Sequence, residues 1–288
     1  MKKILLQFDT DSHASSFDRV VAIDSGVDQL FSYGDVTPDN VTGLVHGAIF
    51  TRGPADLKNT AIFVGGSNVH AGESLLAAVK AAFFGPMRVS VMMDSNGCNT
   101  TAAAAVVAAK KHLKLSDSKA TVLGGTGPVG QRVAQLLASE GCDVTVVSRS
   151  QDKAANVCDY IAGRTERGTL HPVGAAETGQ FVAACEQRDL VVACGAAGIS
   201  FLPAGSLSSL PDLKLAIDLN AVPPLGLSDV EAMDRGVEKE GTLCYGALGV
   251  GGTKMKVHKR AIAQLFDSSD ATFDTAEIYQ LACEVAGV

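Results

Sequence analysis

The sequence contains no tryptophan, only four tyrosines, and seven cysteines with no Cys-x-x-Cys spacing among them. At 5% aromatic residues it offers few rings on which bases could stack, and its formal charge of −7 lacks the excess of basic residues that nucleic-acid binding needs. An odd number of scattered cysteines is typical of reduced thiols rather than of a disulfide framework or a zinc site. We therefore expect a cytoplasmic protein with no nucleic-acid partner and no metal.

Long apolar runs are also missing. The least polar stretch, residues 101–109, is far shorter than the ~20 residues that span a bilayer, and the three apolar residues after MKK are too few for a signal-peptide core. The sequence thus predicts a soluble chain that is not a membrane partner. At 47% hydrophobic residues over 288 positions, it can still bury a sizeable core in one or two domains.

Short apolar runs alternate with helical patterns along the whole chain, which predicts an α/β protein with parallel strands. The predicted strands are 3–8, 48–51, 60–64, 88–93, 120–124, 143–148, 189–194 and 213–219. The predicted helices are 16–25, 37–46, 69–83, 99–113, 128–139, 151–163, 253–266 and 274–286.

A polar break, KLSDSK at 114–119, suggests a domain boundary. Residues 115–266 then form a Rossmann-type NADP-binding domain with a doubly wound pattern. No strand is predicted after the last two helices, so we expect the C-terminal residues to return to the first domain. Residues 1–114 and 267–288 would together form the substrate and catalytic domain, into which the nucleotide domain is inserted.

The segment GTGPVG at 125–130 follows an apolar strand and precedes an amphipathic helix. This G-x-G-x-x-G spacing in a strand–turn–helix context is typical of dinucleotide binding: the glycines allow a tight turn, a close approach of the pyrophosphate and close helix packing. The alternative is a loop whose glycines serve packing only. The candidate cofactor ligands in this loop are Gly125, Thr126, Gly127, Pro128 and Val129.

The end of the next strand indicates which dinucleotide is bound. NAD sites usually carry Asp or Glu there to hold the ribose 2′-hydroxyl, whereas this strand ends in Ser148, Arg149 and Ser150, with Lys153 one turn further on. A guanidinium and two hydroxyls suit a 2′-phosphate, which favours NADP. An ordinary solvated arginine is the alternative.

Two further strand ends supply candidate cofactor contacts. Gly195 and Ala196 in CGAAGI would allow a close approach of the cofactor, or serve close packing alone. Asn220 in DLNAVPPLG would border the nicotinamide, or belong to a plain turn.

Taken together, the segments DSNGCNTTAAA, GGTGPVGQR, VSRSQDKA, DLNAVPPLG and GALGVGGTKMKVH resemble the NADP-dependent methylene-tetrahydromethanopterin dehydrogenases, and the likeness extends over essentially the whole chain. The resemblance implies hydride transfer from methylene-tetrahydromethanopterin, or methylene-tetrahydrofolate, to NADP⁺, which gives the methenyl cation and NADPH. It also implies a homotrimer, with the active site in a cleft between the two domains and a neighbouring subunit.

Two rival interpretations remain open: a methylene-tetrahydrofolate dehydrogenase proper, and a non-catalytic NADP-sensing protein. A cyclohydrolase activity is not expected. The related bifunctional folate enzymes use a Tyr-x-x-x-Lys pair, whereas Tyr33 is followed four residues later by Thr37, and no other tyrosine has a lysine at that spacing.

Lys254 is the candidate catalytic residue, carried over from the resemblance. With Lys256 it is predicted to lie in the first turn of a helix capped by Thr253, where a cation opposes the helix dipole and is a poor choice for stability alone. Two solvated lysines are the alternative. Lys256 is a candidate for substrate binding.

The remaining substrate candidates follow predicted strands. Phe17 would stack on the pterin, and Asp18 would accept from its N–H groups, unless it only caps a helix. Ser95, Asn96 and Asn99 would contact the substrate, or form a helix cap with a glycine turn.

Overall fold

The computed structural model describes residues 1–288, and contacts between them divide the chain into two compact units. Unit 1 comprises Met1–Thr100 and Met255–Leu281, and unit 2 comprises Thr101–Lys254 and Ala282–Val288. Both boundaries differ from those expected at 114/115 and 266/267. They fall inside continuous helices, which a break in polarity does not reveal. The assignment of substrate and cofactor roles to the two parts stays a prediction.

Twelve strands and nine α-helices make up the fold. The strands are β1 (Ile4–Asp9), β2 (Gln29–Tyr33), β3 (Thr60–Gly65), β4 (Ser90–Met93), β5 (Lys119–Leu123), β6 (Asp143–Ser148), β7 (Thr169–Gly174), β8 (Leu190–Ala193), β9 (Leu215–Asp218), β10 (Arg235–Lys239), β11 (Thr242–Tyr245) and β12 (Thr272–Phe273). The helices are α1 (Ser16–Asp24), α2 (Val41–Ile49), α3 (Val69–Ala81), α4 (Cys98–Lys110), α5 (Pro128–Ser139), α6 (Gln151–Ala162), α7 (Thr178–Cys185), α8 (Ala247–Gln264) and α9 (Thr275–Ala286). None of these helices combines the length and apolarity that crossing a membrane requires.

Unit 1 contains a five-stranded parallel sheet in the order β12-β4-β3-β1-β2. The central strand β3 is buried along its whole length, which is why it appears in the sequence as a continuous apolar run. The edge strand β2 alternates exposed and half-buried residues and carries no such run.

Unit 2 contains a seven-stranded sheet in the order β10-β11-β9-β8-β5-β6-β7, in which β10 alone is antiparallel to its neighbour. From β5 the chain continues to β6 and β7 on one side and later to β8 and β9 on the other. The carboxyl ends of β5 and β8 therefore form a topological switch point, where open α/β sheets bind ligands. The predicted α/β class with a Rossmann-type part is confirmed.

Several predicted elements are wrong. Residues 48–51 are not a strand, because Ala48 and Ile49 complete the buried face of α2, which begins at Val41 rather than at Thr37. The strands β2, β7, β10, β11 and β12 were not predicted. They are short or half-exposed, so neither a continuous apolar run nor a sharp alternation marks them.

The helix expected from Thr253 begins six residues earlier, at Ala247. Glycines near its start serve packing rather than breaking the helix. A Cβ on Gly246 would collide with the Glu231 carbonyl oxygen, and one on Gly249 with that of Asp234. Thr253 is therefore an interior residue and not the N-cap.

Candidate active site

The turn after β5 depends on a glycine that the G-x-G-x-x-G pattern does not include. Gly124 has φ +71°, a conformation that favours glycine, and a Cβ there would lie 3.0 Å from the Gly195 amide nitrogen. Gly125 was expected to permit the tight turn, but a Cβ on it would instead lie 2.7 Å from Val146 Cγ1. Gly124 is thus the turn glycine, and Gly125 allows the loop to pack on β6.

Helix α5 begins directly after this turn, with Gly127 as the N-cap and Pro128 as the first helical residue. A Cβ on Gly130 would lie 2.5 Å from the Gly124 carbonyl oxygen, so this glycine holds the helix close to the turn. The first amide groups of a helix lack intrahelical acceptors, and they favour a phosphate placed at this end.

A cavity of about 350 Å³ lies beside this helix start, at the carboxyl ends of β5, β6 and β8. Its volume falls at the lower end of the range for small-molecule sites. It is lined by Gly124, Thr126, Gly127, Val147, Ser148, Arg149, Ala176, Phe181, Cys194, Gly195, Ala196, Ile199, Ser200 and Phe201.

Six of the predicted cofactor residues line this cavity: Thr126, Gly127, Ser148, Arg149, Gly195 and Ala196. Arg149 is exposed at the end of β6, and the Ser148 hydroxyl lies 3.1 Å from that of Thr126. The end of β6 thus presents one hydroxyl and a guanidinium to the cavity, the turn after β5 adds the Thr126 hydroxyl, and no carboxylate is among the residues that line it.

The other six predicted cofactor residues lie outside the lining: Gly125, Pro128, Val129, Ser150, Lys153 and Asn220. The Ser150 hydroxyl caps α6 by accepting from the Lys153 amide at 3.3 Å. The Asn220 side chain donates to the Pro224 carbonyl and accepts from the Val222 amide, so it holds its own turn.

An apolar wall closes one side of the cavity and was not predicted. Phe181 and Phe201 meet edge to face with ring centroids 5.1 Å apart, and a Cβ on Gly195 would lie 2.6 Å from the Phe201 ring. No sequence motif marks this pair, because one ring comes from α7 and the other from the loop after β8. The half-buried Cys194 thiol also lines the cavity, and its desolvation raises its pKa, which makes it a poor nucleophile.

Asp218 at the end of β9 is a buried carboxyl that organises the next loop. It accepts from the Asn220 and Leu227 amides at 3.0 and 2.9 Å. Burial raises its pKa, and the hydrogen bonds from backbone amides oppose that shift. The Gly226 carbonyl in turn accepts from the Phe201 and Leu202 amides, so Asp218 supports the apolar wall indirectly.

In unit 1, the loop after β1 brings Phe17 and Asp18 to the start of α1. Asp9 shapes this loop by accepting from the Asp11 and Ser15 amides at 3.0 Å each. The Phe17 side chain is 51% exposed, and the Asp18 carboxylate lies 3.7 Å from the position of a Cβ on Gly65 at the end of β3. Both side chains therefore lie at the carboxyl edge of the sheet, where ligands of such sheets bind.

The residues after β4 divide into two groups. Ser95 is buried and donates to the Gly65 carbonyl at 3.2 Å. Asn99 is buried too, and its amide donates to Met93 and Asp274 while its oxygen accepts from Thr275. These two side chains serve the fold in the structure, whereas Asn96 is exposed, with φ +53°.

Lys254 is the eighth residue of α8 and is half-buried, while Lys256 is exposed. The argument that placed Lys254 at a helix start, against the dipole, is therefore wrong. One turn later on the same face, His258 is completely buried, stacks on Phe63 with ring centroids 5.7 Å apart, and places Nδ1 3.9 Å from Asp94 Oδ2.

Comparison with known proteins decides the family. A family described as methylene-tetrahydromethanopterin dehydrogenase, N-terminal, matches residues 16–96, and shikimate/quinate 5-dehydrogenase matches residues 106–224. The chain is 47% identical over 290 residues to the bifunctional protein MdtA of Methylorubrum extorquens, with 99% of each chain covered. It is 31% identical over 284 residues to the NAD(P)-dependent methylenetetrahydromethanopterin dehydrogenase of the same organism, with 96% of each covered.

The chain belongs to the methylene-tetrahydromethanopterin dehydrogenase family. The predicted resemblance is confirmed. Among solved structures, the fold of this family member is shared by shikimate 5-dehydrogenase from Listeria monocytogenes, with a TM-score of 0.58 at 13% identity over 97% of this chain and 96% of that one. Quinate dehydrogenase from Corynebacterium glutamicum gives 0.53 at 14% identity, with 98% and 99% covered.

The unit 2 cavity of this family member fits a nicotinamide dinucleotide. Gly124 and Gly127 line the cavity with main chain, and the amide groups at the start of α5 suit a pyrophosphate. The apolar wall of Phe181 and Phe201 suits a planar ring. A nicotinamide dinucleotide cofactor, as predicted, agrees with the family and with this geometry.

Proposed function

We propose that the protein is an NADP-dependent dehydrogenase of methylene-tetrahydromethanopterin that yields the methenyl cation. The observation that carries the proposal is the cofactor cavity, in which the glycines and Thr126 after β5 meet Ser148 and Arg149 at the end of β6. Family membership supports the substrate class. When bound in this cavity, NADP⁺ would supply the acceptor for the hydride that leaves the methylene carbon.

The preference for NADP over NAD rests on Arg149. Its guanidinium is exposed at the strand end where a carboxylate would otherwise hold the ribose 2′-hydroxyl. Ser148 and Thr126 present hydroxyls beside it. A charge-assisted contact to a 2′-phosphate contributes about 1.5–3 kcal/mol.

The substrate residues proposed for unit 1 are those whose side chains remain accessible. Phe17 offers a half-exposed ring for the pterin, Asp18 a carboxylate for its N–H groups, and Asn96 an exposed amide. Ser95 and Asn99 support this edge from within the fold. On α8, we propose that Lys254 orients the substrate and that Lys256 contributes to its binding.

The chemistry demands little of the protein beyond positioning. The product cation is stabilised by the two nitrogens that flank the carbon, and no proton leaves, so no general base is needed. This agrees with a site that offers amides, a lysine and carboxylates but no nucleophile activated by a neighbouring base. We also propose that the enzyme has no cyclohydrolase activity and that it is a cytoplasmic homotrimer, as the resemblance implies.

Methylene-tetrahydrofolate is the second candidate substrate. The relative with 47% identity is named a bifunctional protein, which motivates a test of more than one reaction. A non-catalytic NADP sensor would bind the cofactor without turnover.

The test is NADPH formation, followed by absorbance, with each methylene pterin and with NADP⁺ and NAD⁺ in parallel. We expect turnover with methylene-tetrahydromethanopterin and NADP⁺. Folded protein that binds NADP⁺ but reduces none with either pterin would overturn the proposal in favour of a sensor. Turnover with methylene-tetrahydrofolate alone would replace the substrate by the second candidate. Hydrolysis of the methenyl product above its spontaneous rate would contradict the absence of cyclohydrolase activity.

A further inference from the structure

The buried face of α8 contains one residue that does not match its neighbours. Val257, Ala261 and Ile262 are apolar and buried, but His258 between them is an imidazole with no exposed surface. Burial of a polar ring is unfavourable unless its surroundings compensate for the lost water. An apolar side chain would pack the same helix more simply, so the identity of this residue calls for another explanation.

Two neighbours fix the position of the imidazole. On one face it stacks on Phe63 of β3, with 17° between the ring planes. At its edge, Nδ1 lies 3.9 Å from Oδ2 of the buried Asp94. Asp94 is itself held by the Asn99 amide and by the amide and hydroxyl of Thr100, at 2.6–3.0 Å. The carboxylate is therefore a rigid reference point for the ring.

The same ring lies beneath a proposed substrate residue. The Phe17 ring is tilted by 41° to the His258 ring, with centroids 6.2 Å apart, and its side chain is half exposed. Lys254 precedes His258 by four residues and so lies on the same face of α8, one turn away. The buried imidazole thus contacts Phe63 of β3 and faces Asp94 at the end of β4, and it lies under the Phe17 ring. It belongs to the turn of α8 that follows Lys254.

We propose that His258 is a positioning residue of the pterin site: its contacts with Phe63 and Asp94 fix the rotation of α8, and this rotation sets where the Lys254 ammonium lies. The inference rests on the proposed function of Lys254. His258 does not touch the substrate, because Phe17 covers it and it has no exposed surface.

Histidine suits this role better than its closest substitutes. Phenylalanine would keep the stacking on Phe63 but would replace the ring nitrogen that faces the Asp94 carboxylate at 3.9 Å by carbon, so α8 would be free to rotate by a few degrees. Glutamine would keep a donor but lose the ring. Displacement of a catalytic group by about 1 Å can lower turnover by about 100-fold without any loss of the fold.

The test is a double-mutant cycle with His258→Phe, Lys254→Ala and the combination of both. We expect His258→Phe to lower kcat with the methylene pterin by about 30-fold, to leave the KM for NADP⁺ within twofold, and to change the thermal midpoint little. In the Lys254→Ala background the same substitution should cost less than twofold, because its effect passes through the lysine. His258→Gln should recover part of the loss, since it keeps a polar nitrogen on the side of α8 that faces Asp94.

Lys259→Ala is the matched control on the same helix, because Lys259 is partly exposed and pairs with Asp24. It should leave kcat unchanged. Multiplicative losses in the double variant, or a loss of activity that follows the thermal midpoint alone, would overturn the positioning role. If His258→Phe does not fold, the double-mutant cycle with Lys254→Ala is measured with His258→Gln instead. An unmodified protein that turns over no methylene pterin overturns the proposed function, and this inference with it, before any variant is made.

Discussion

The two units build their sites in different ways. In unit 2, the cofactor cavity is shaped largely by main chain: Gly124 and Gly127 after β5 and Gly195 after β8 line it without side chains, and few polar side chains enter it. In unit 1, the carboxyl edge is crowded with polar side chains, but Asp9, Ser95 and Asn99 are buried and hydrogen-bonded within the fold. The glycine pattern thus leads to main chain that lines a cavity, whereas much of the polar cluster is used within the fold.

The largest effect is expected at the main-chain site. Gly124→Val requires φ +71° of a β-branched residue and brings its side chain against the Gly195 amide, so the turn must deform. NADP⁺ affinity should fall by more than about 100-fold, or ~2.7 kcal/mol. Calorimetric titration with NADP⁺ measures it, and Gly179→Val, at a position with open space around it, is the control. Unchanged NADP⁺ affinity of Gly124→Val would contradict the idea that the main chain at Gly124 shapes the cofactor site.

Next in size is the lysine of α8. Lys254→Ala should lower kcat by about 100-fold, or ~2.7 kcal/mol of transition-state stabilisation, and leave NADP⁺ binding nearly intact. The measurement is steady-state kinetics of Lys254→Ala and, for comparison, of Lys256→Ala, which changes an exposed lysine of the same helix. Near-normal kcat, or a loss that arises only from weaker NADP⁺ binding, would show that the side chain of Lys254 is not part of the chemistry.

A smaller effect is expected at the one charged side chain that lines the cofactor cavity. Arg149→Ala should raise the KM for NADP⁺ by about 40-fold, within the range given by ~1.5–3 kcal/mol, and change the use of NAD⁺ far less. The measurement is kinetics with both cofactors. Equal losses for NADP⁺ and NAD⁺ would mean that the guanidinium does not contact the 2′-phosphate. Cofactor binding at this cavity would then depend on main-chain groups without a charged side chain.

The smallest effect concerns the buried carboxyl beside this cavity. Because burial raises the pKa of Asp218, the folded state retains its proton to higher pH than the unfolded chain does. Its stabilising contribution is complete below about pH 4 and decreases as pH rises through the raised pKa. Relative to Asp218→Asn, the wild type should therefore be more stable near pH 4 than at pH 7, as measured by urea unfolding. A constant difference between the two proteins across this range would contradict the shift.

The sequence predicts the central strands β5, β6, β8 and β9 of unit 2 and the glycine turn before α5, because these depend on local signals: a buried apolar strand, a glycine turn and a helix start. It does not predict the apolar wall of Phe181 and Phe201, whose rings meet only through tertiary folding. It also misplaces the start of α8. Gly246 and Gly249 resemble a loop in sequence, but in the structure they allow the helix to approach residues 231–234.

In unit 1, the structure places two of the predicted substrate residues inside the fold. Asn99 and Ser95 have the chemistry of ligands, yet their hydrogen bonds are directed to partners such as Thr275, which is 176 residues away along the chain. Such distant partners leave no trace in local spacing. His258 is the opposite case. Nothing in the sequence distinguishes it from the other dispersed histidines, yet in the structure it is fully buried against Phe63 of β3.

The pairing of β12 with β4 has a consequence for how the chain is made. Thr272 and Phe273 complete the sheet of unit 1, and they leave the ribosome only after residues 101–254, which make up all of unit 2 except its last seven residues. Until then the outer edge of β4 has open hydrogen-bonding groups, the kind of edge that invites pairing with other chains. Most of unit 2 can fold while unit 1 waits for its edge strand, so the sheet that is begun first is completed late in synthesis. A nascent chain truncated before Thr272 would then carry the cofactor fold beside an unfinished sheet.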